Sequence, residues 1–223
     1  MSGGVVLALD AAGPGASVAL LRDGRALAEI RWVEPRSAGT RLLAWVDDLV
    51  TTFGRPEAVA VGIGPGSFTG VRVAVTAAKT LAWAWGVPLY AASSLAAQAV
   101  GAPVGAWVLT SLERRGSAVY VGLYRVGRDG LAAAWPDTAW TVGQALALPA
   151  DAERLLVAGP LGDDAAWLAT LPVPAEPFEG VSPARGVAWL ATRPGVAPVA
   201  PLGLEPAYLR PPPGRAAGAP PGG

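Results

Sequence analysis

The chain has 223 residues, 52% of them apolar, with 17 basic and 17 acidic side chains and a formal net charge of zero. That length supports one large domain or two small lobes around a buried core, and the balanced charge gives no overall electrostatic footprint for nucleic acid. Cysteine and histidine are both absent, which excludes disulfides, thiol nucleophiles, zinc–thiolate sites and Ser-His-Asp hydrolysis.

Lys79 is the sole lysine, and with so much alanine, glycine and proline the arginine excess reads as base-composition bias. No run approaches the roughly 18 uncharged apolar residues of a membrane span. No basic-plus-apolar leader precedes Asp10, so a cytoplasmic protein is expected.

The first predicted strand, Val5 to Asp10, ends in a carboxylate. Gly13-Pro14-Gly15 turns the chain into a second strand, Ala16 to Leu21, and Asp23-Gly24 is a hairpin signal leading to a third, Ala26 to Val33. Between Pro35 and Phe53 the residues Leu42, Leu43, Val46, Leu49, Val50 and Phe53 fall at three- and four-residue spacing. They mark one apolar stripe of a helix, with Asp47 and Asp48 on its other side.

Val59 to Ile63 reads as a buried strand that breaks on Gly64-Pro65-Gly66-Ser67-Phe68-Thr69-Gly70. Thr69 has N-cap chemistry for a helix running to Trp85, apolar nearly all round, with Val71, Ala74, Val75, Ala78, Leu81, Ala82 and Trp85 on its main side. Trp83 lies two residues before Trp85, about 160° away round the helix, and cannot share its face. Strand, glycine loop and helix N-terminus is an arrangement that can hold an anion. The loop nevertheless lacks the Gly-Lys-Ser/Thr ending of a P-loop, and its glycine spacing is not the dinucleotide fingerprint. The plainer role for these glycines is a sharp turn and close packing at a strand–helix corner.

Val87 to Ala92 is the next strand, and Ser93 or Ser94 caps a short helix through Val100. Gly101-Ala102-Pro103 marks the expected lobe boundary. Beyond it the second lobe opens with Trp107 to Thr110 and the segment Leu112 to Tyr124, in which Tyr120, Tyr124 and the alternating apolar positions between them read as strand core. Gly130 to Ala139 is another strand and Val142 to Leu148 a short helix. A further strand from Arg154 runs to the turn Gly159-Pro160-Leu161-Gly162, followed by Asp163, Asp164 and a helix to Leu171. Pro172 to Gly180 is expected as loop. Ser182-Pro183 opens the last helix, to Arg193, with serine at N-cap and proline at N1. Pro211 to Gly223 is too poor in core-forming residues to fold and is expected to be disordered. No internal repeat is visible.

The string Gly64 to Arg72, followed by Lys79 and Ser93-Ser94-Leu95, closely resembles the signature of the TsaB (YeaZ) family. That family supplies the dimerisation subunits of the bacterial machinery that makes N6-threonylcarbamoyladenosine in tRNA. The opening strands with Asp10, the segment Glu113 to Tyr124 and the ending Pro206-Ala207-Tyr208-Leu209-Arg210 match in the family's order. The resemblance therefore spans nearly the whole chain, although the second of these segments is an imperfect match.

The resemblance implies an α/β, two-lobed actin/Hsp70/hexokinase-like (ribonuclease H-like) fold with a degenerate nucleotide site. Its first lobe would span 1–102 and carry the partner-binding helices; a smaller lobe would span 103–210. It implies a non-catalytic subunit with no cofactor and no metal, pairing with a TsaD-like partner through a four-helix interface. On this chain that interface falls on Leu42, Leu43, Val46, Leu49, Val50, Thr69, Val71, Arg72, Val75, Ala78, Lys79 and Ala82. A TsaE-like ATPase completes the complex, a homodimer forms when the partner is absent, and tRNA is contacted indirectly.

Two departures from the family pattern stand out. The first turn, Asp10-Ala11-Ala12-Gly13, lacks the hydroxyl that active relatives carry, and no histidine occurs near Arg36 to Thr40. Asp10, Glu113 and Gly159 then mark a vestigial nucleotide site. The alternative is an active kinase or ATPase of the same fold, using Asp10 and Glu113 with magnesium.

Overall fold

The computed structural model describes residues 4–33 and 38–209. The expectations for the tail over 211–223 and for the region of Arg36 and Ser37 lie outside the described residues.

Strands β1 (Val5–Asp10), β2 (Ala16–Arg22) and β3 (Arg25–Trp32) form an antiparallel meander. Asp23 and Gly24 turn the second hairpin with φ of 51° and 74°, the left-handed pair that a tight two-residue turn requires. Helix α1 (Ala38–Phe53), β4 (Ala58–Gly62), α2 (Phe68–Trp85) and β5 (Leu89–Ala92) follow. The sheet order is β3-β2-β1-β4-β5, with β4 parallel to β1 and β5 parallel to β4.

Both faces of this sheet are covered, which is why β1 and β4 read as unbroken apolar runs rather than alternating ones. Leu7, Leu9, Val59 and Val61 face a core shared with α1 and α2. Val6, Ala8, Ala58 and Ala60 face the other way, against α5 (Pro183–Ala191).

The second half repeats the arrangement. After α3 (Ser94–Gln98) come β6 (Trp107–Arg115), β7 (Ala118–Val126), β8 (Leu131–Thr141), β9 (Leu155–Ala158), α4 (Ala165–Leu168) and β10 (Ala175–Pro177). Its sheet runs β8-β7-β6-β9-β10 with the same strand directions as the first. The expected two-lobed ribonuclease H-like fold is therefore present, and it contains the internal repeat that was not visible in the sequence. The repeat is one of strand order, while the intervening segments differ. The 16-residue α1 joins β3 to β4, whereas residues 142–154 join β8 to β9 without a helix.

The two halves exchange their closing helices. Helix α3 packs on β6 and β7, and α5 returns to pack on β1, β2 and β4. Each sheet therefore depends on a helix carried by the other half.

Three local expectations are corrected. The N-cap of α2 is Ser67, whose Oγ accepts from the Gly70 N–H at 3.3 Å, while Thr69 already lies in the first turn. Residues 142–148 form an irregular segment in place of a helix, because Val142, Leu146 and Leu148 pack against the second core from extended chain and Pro149 follows at once. The stretch expected as loop at 172–180 contains β10, paired in parallel with β9.

Candidate functional site

The glycine string folds into a corner pressed against the first turn of the chain. A Cβ on Gly70 would stand 2.0 Å from the Ala11 carbonyl oxygen, and one on Gly66 2.2 Å from that of Ala12. The Ser67 N–H donates to the Ala12 carbonyl at 2.8 Å. These glycines are needed for close backbone approach, and the space they open is filled by the Ala11-Ala12 backbone. The bond between Gly64 and Pro65 is cis.

Asp10 lies beneath this corner, 2% exposed. Its Oδ2 accepts from the Ser94 hydroxyl at 2.5 Å and its Oδ1 from the Ala12 N–H at 3.0 Å. Ser94 Oγ in turn accepts from the Gly64 N–H at 3.1 Å, and the Gly64 carbonyl accepts from the Ser94 N–H at 2.9 Å. A Cβ on Gly62 would sit 1.9 Å from Asp10 Oδ2, so glycine there makes room for the carboxyl. Burial raises the Asp10 pKa, and the hydrogen bonds from Ser94 and Ala12 pull it partly back. Asp10 thus fastens the motif to β1, with both carboxyl oxygens engaged inside the protein.

The equivalent corner of the second sheet is built the same way. Like the first, its loop opens on Gly-Pro, here Gly159-Pro160. A Cβ on Gly159 would stand 2.0 Å from the Ser111 carbonyl oxygen of β6. Ser111 Oγ donates to the Ala158 carbonyl at 2.8 Å and accepts from the Leu161 N–H at 3.0 Å.

Gly159 also lines a cleft of about 490 Å³, together with Gln98, Arg31, Asp163 and Glu179. Asp10 and Glu113 are not among its lining residues. Glu113 sits on β6 at the register shift between Leu112 and Arg115, with φ of 52°. Asp10, Glu113 and Gly159 are therefore spread over β1, β6 and the turn after β9. Among the described residues, no group of three or more Asp, Glu, Cys or His side chains is placed to hold a metal.

One polar cluster was not singled out in the sequence. Asp137 of β8 accepts hydrogen bonds from Ser93 at 2.5 Å and from the Tyr124 hydroxyl. Burial, then the Asp137 charge and the hydrogen bond to it, push the Tyr124 hydroxyl far above the usual phenol range, with Ser93 acting weakly the other way. The only available sequence signal was the Ser93-Ser94 pair itself, because the register that delivers Asp137 cannot be read from spacing.

The residues expected at a partner interface divide into two sets. Leu42, Val46, Leu49, Val71, Val75, Ala78 and Ala82 are buried in the chain's own core and cannot be outer contact residues. They hold α1 and α2 on the sheet. Leu43, Thr69 and Arg72 are exposed, Val50 and Lys79 half-buried. Arg72 stacks over Phe68 at 5.1 Å, and Lys79 Nζ donates to the Leu204 carbonyl at 3.1 Å. The outward stripe of α2 runs Thr69, Arg72, Thr76, Thr80 and Trp83, at the spacing of one helix face. Trp83 is 79% exposed and Leu43 of α1 56%, large apolar side chains on neighbouring helices.

A sequence model of the family described as "TsaD: tRNA N6-adenosine threonylcarbamoyltransferase" matches residues 41–174. The solved structure of YeaZ from Pseudomonas aeruginosa superposes with a TM-score of 0.78 at 31% identity, covering 94% of this chain and 100% of that one. The chain belongs to the TsaB (YeaZ) family. The tRNA threonylcarbamoyladenosine biosynthesis protein TsaB of Escherichia coli is 38% identical over 133 residues, 56% of this chain. That match spans 57% of the length of the E. coli protein. An uncharacterised protein of Mycobacterium tuberculosis is 34% identical over 218 residues, 93% of this chain and 92% of its own. Among the described residues, no helix of this TsaB-family chain is long and apolar enough to cross a membrane.

Proposed function

We propose that this chain is a non-catalytic scaffold subunit in the biosynthesis of tRNA N6-threonylcarbamoyladenosine. It pairs with a TsaD-type subunit through the outer sides of α1 and α2 and supports threonylcarbamoyl transfer to N6 of adenosine 37. The names borne by its E. coli relative and by the matching family support the pathway and the kind of partner.

The observation that carries the non-catalytic reading is the state of Asp10. Phosphoryl transfer needs an acid open to metal and phosphate. Asp10 is enclosed, with one oxygen taken by Ser94 and the other by the Ala12 N–H. The glycine corner above it is filled by the chain's own backbone.

The partner reading is supported by Trp83 and Leu43, exposed on helices whose inner sides are already used. In this reading the lobe 1–102 carries the docking helices and the lobe 103–210 stiffens it. A TsaE-type ATPase joins the pair, tRNA is reached through the partner, and the same outer face closes a homodimer when the partner is missing. Calorimetric titration tests the proposal: magnesium-ATP added to the chain alone should give no binding heat, and the TsaD-type subunit a saturable one. ATP binding that disappears in Asp10→Ala would overturn it.

A further inference from the structure

Residues 199–209 run the length of α2 and are fastened along it by contacts of different chemistry. The Val199 N–H donates to the Leu89 carbonyl at 2.7 Å, closing an isolated antiparallel bridge on β5. Pro201–Gly203 form a 3₁₀ turn against α2, and Leu204 packs into the first core. The Lys79 ammonium donates to the Leu204 carbonyl at 3.1 Å. At the far end, the Ala207 N–H donates to the Ile63 carbonyl at 2.7 Å, and Tyr208 lies 5.3 Å from Phe68. The segment therefore begins beside the C-terminal end of α2 and finishes on the glycine corner.

Lys79 is the charged fastening, and every other one of the 17 cationic side chains is arginine. An ammonium on a straight stem can aim one donor at a single carbonyl, whereas a guanidinium is a flat fork suited to two acceptors. Lys79 is also placed at the edge of the outward stripe. Thr76 and Trp83 stand three residues before it and four after it, so they are its neighbours on the helix surface. The segment that Lys79 holds consequently borders that stripe. It also carries Leu202, 97% exposed.

We propose that residues 199–209 form a clasp on α2 and that Lys79 is its positioning residue. Closing the clasp sets the stripe Arg72–Thr76–Thr80–Trp83 in the form that the TsaD-type partner docks. This rests on the partner reading above. Partner binding and clasp closure then favour one another, since each stabilises the same form of α2.

Amide hydrogen exchange of the chain alone and calorimetric titration with the TsaD-type subunit test the clasp on the same variants. Lys79→Met keeps the apolar stem and removes the donor, while Lys79→Arg restores a donor in a less suitable shape. In Lys79→Met, exchange at Val199 and Ala207 should quicken about tenfold, exchange in β1 and β4 should hold, and the partner should bind about tenfold more weakly. Lys79→Arg should recover part of both effects. Tyr208→Ala, which loosens the exposed far end, should act in the same direction as Lys79→Met.

Unchanged exchange in both Lys79→Met and Tyr208→Ala overturns the clasp. Faster exchange with unaltered partner affinity overturns its link to pairing. Should the unsubstituted chain bind no partner, the partner reading has failed, and the exchange rates alone judge the clasp.

Discussion

Ser93 and Ser94 are adjacent in the chain and reach opposite sheets. Ser94 Oγ lies 2.5 Å from Asp10 Oδ2 at the end of β1, and Ser93 Oγ lies 2.5 Å from Asp137 Oδ2 on β8. Ser93 also caps α3, accepting from the Ala96 N–H at 3.1 Å. One dipeptide therefore fixes the glycine corner, a helix start and the contact between the two halves.

Ser94→Ala should destabilise the fold without abolishing it. The substitution removes a hydrogen bond to a buried carboxyl and leaves the Gly64 N–H without its acceptor. The expected cost is roughly 1–3 kcal/mol, read from the midpoint of urea unfolding. Ser93→Ala, acting at a half-buried site, should cost less.

The pH dependence of stability should carry the signature of Asp10. Its folded pKa is raised by burial. The stability it contributes is therefore complete below the carboxyl's unfolded pKa and is lost as pH rises through the folded value. Asp10→Asn, which keeps the shape but cannot ionise, should lose less stability than the unsubstituted chain as pH rises from 4 towards neutrality, on the scale where carboxyls titrate at about 4. Parallel curves for the two proteins would contradict this assignment.

Tyr124 should stay protonated in alkali for as long as the chain is folded. Its raised pKa means that the stability it contributes is complete below the unfolded phenol pKa of about 10 and is lost progressively as pH rises from there towards the folded value. The chain has 4 tyrosines. Removing this one by Tyr124→Phe should leave the phenolate absorbance developed by about pH 11 unaltered in the folded protein. A drop in that absorbance would show that Tyr124 ionises normally.

Gly70→Ala should be among the most damaging single-methyl changes in the molecule. The added carbon would meet the Ala11 carbonyl at 2.0 Å, and backbone on both sides leaves nothing flexible to move. We expect a loss near the top of the roughly 1–3 kcal/mol typical of overpacking, read by thermal unfolding. Gly24→Ala serves as the control: a Cβ there meets nothing within 4 Å, so its cost is limited to that of the φ of 74°.

Much of this fold was legible because its local signals are strong. Asp23-Gly24 announced a hairpin, Ser182-Pro183 a helix start, and the continuous apolar runs of Val5 to Leu9 and Val59 to Val61 announced strands, the second of them a buried one. The glycine corner was recognisable as a tight strand–helix junction, but its N-cap was misplaced by two residues, since Ser67 and Thr69 have the same capping chemistry.

What spacing could not convey were relationships between distant segments. The Asp137 contact depends on the register of β8, and the exchange of α3 and α5 depends on topology. Likewise, an apolar stripe such as Leu42, Val46 and Leu49 does not say whether a sheet or a partner will cover it. In this chain the sheet covers that stripe, and the docking surface proposed above lies on the polar-looking side that carries Trp83.

The central claim concerns that outer face, and size-exclusion chromatography with light scattering tests it most directly. The chain would be mixed with the TsaD-type subunit of its own organism, alongside Trp83→Asp and, as a core control, Ala78→Asp. We expect the unsubstituted chain to elute at the mass of a mixed complex. Trp83→Asp should elute apart from the partner yet remain folded. Ala78→Asp should lose its fold, because an unpaired buried charge costs more than about 3 kcal/mol. Separate peaks for the unsubstituted chain and the partner, or a Trp83→Asp variant that still co-elutes with it, would contradict the account.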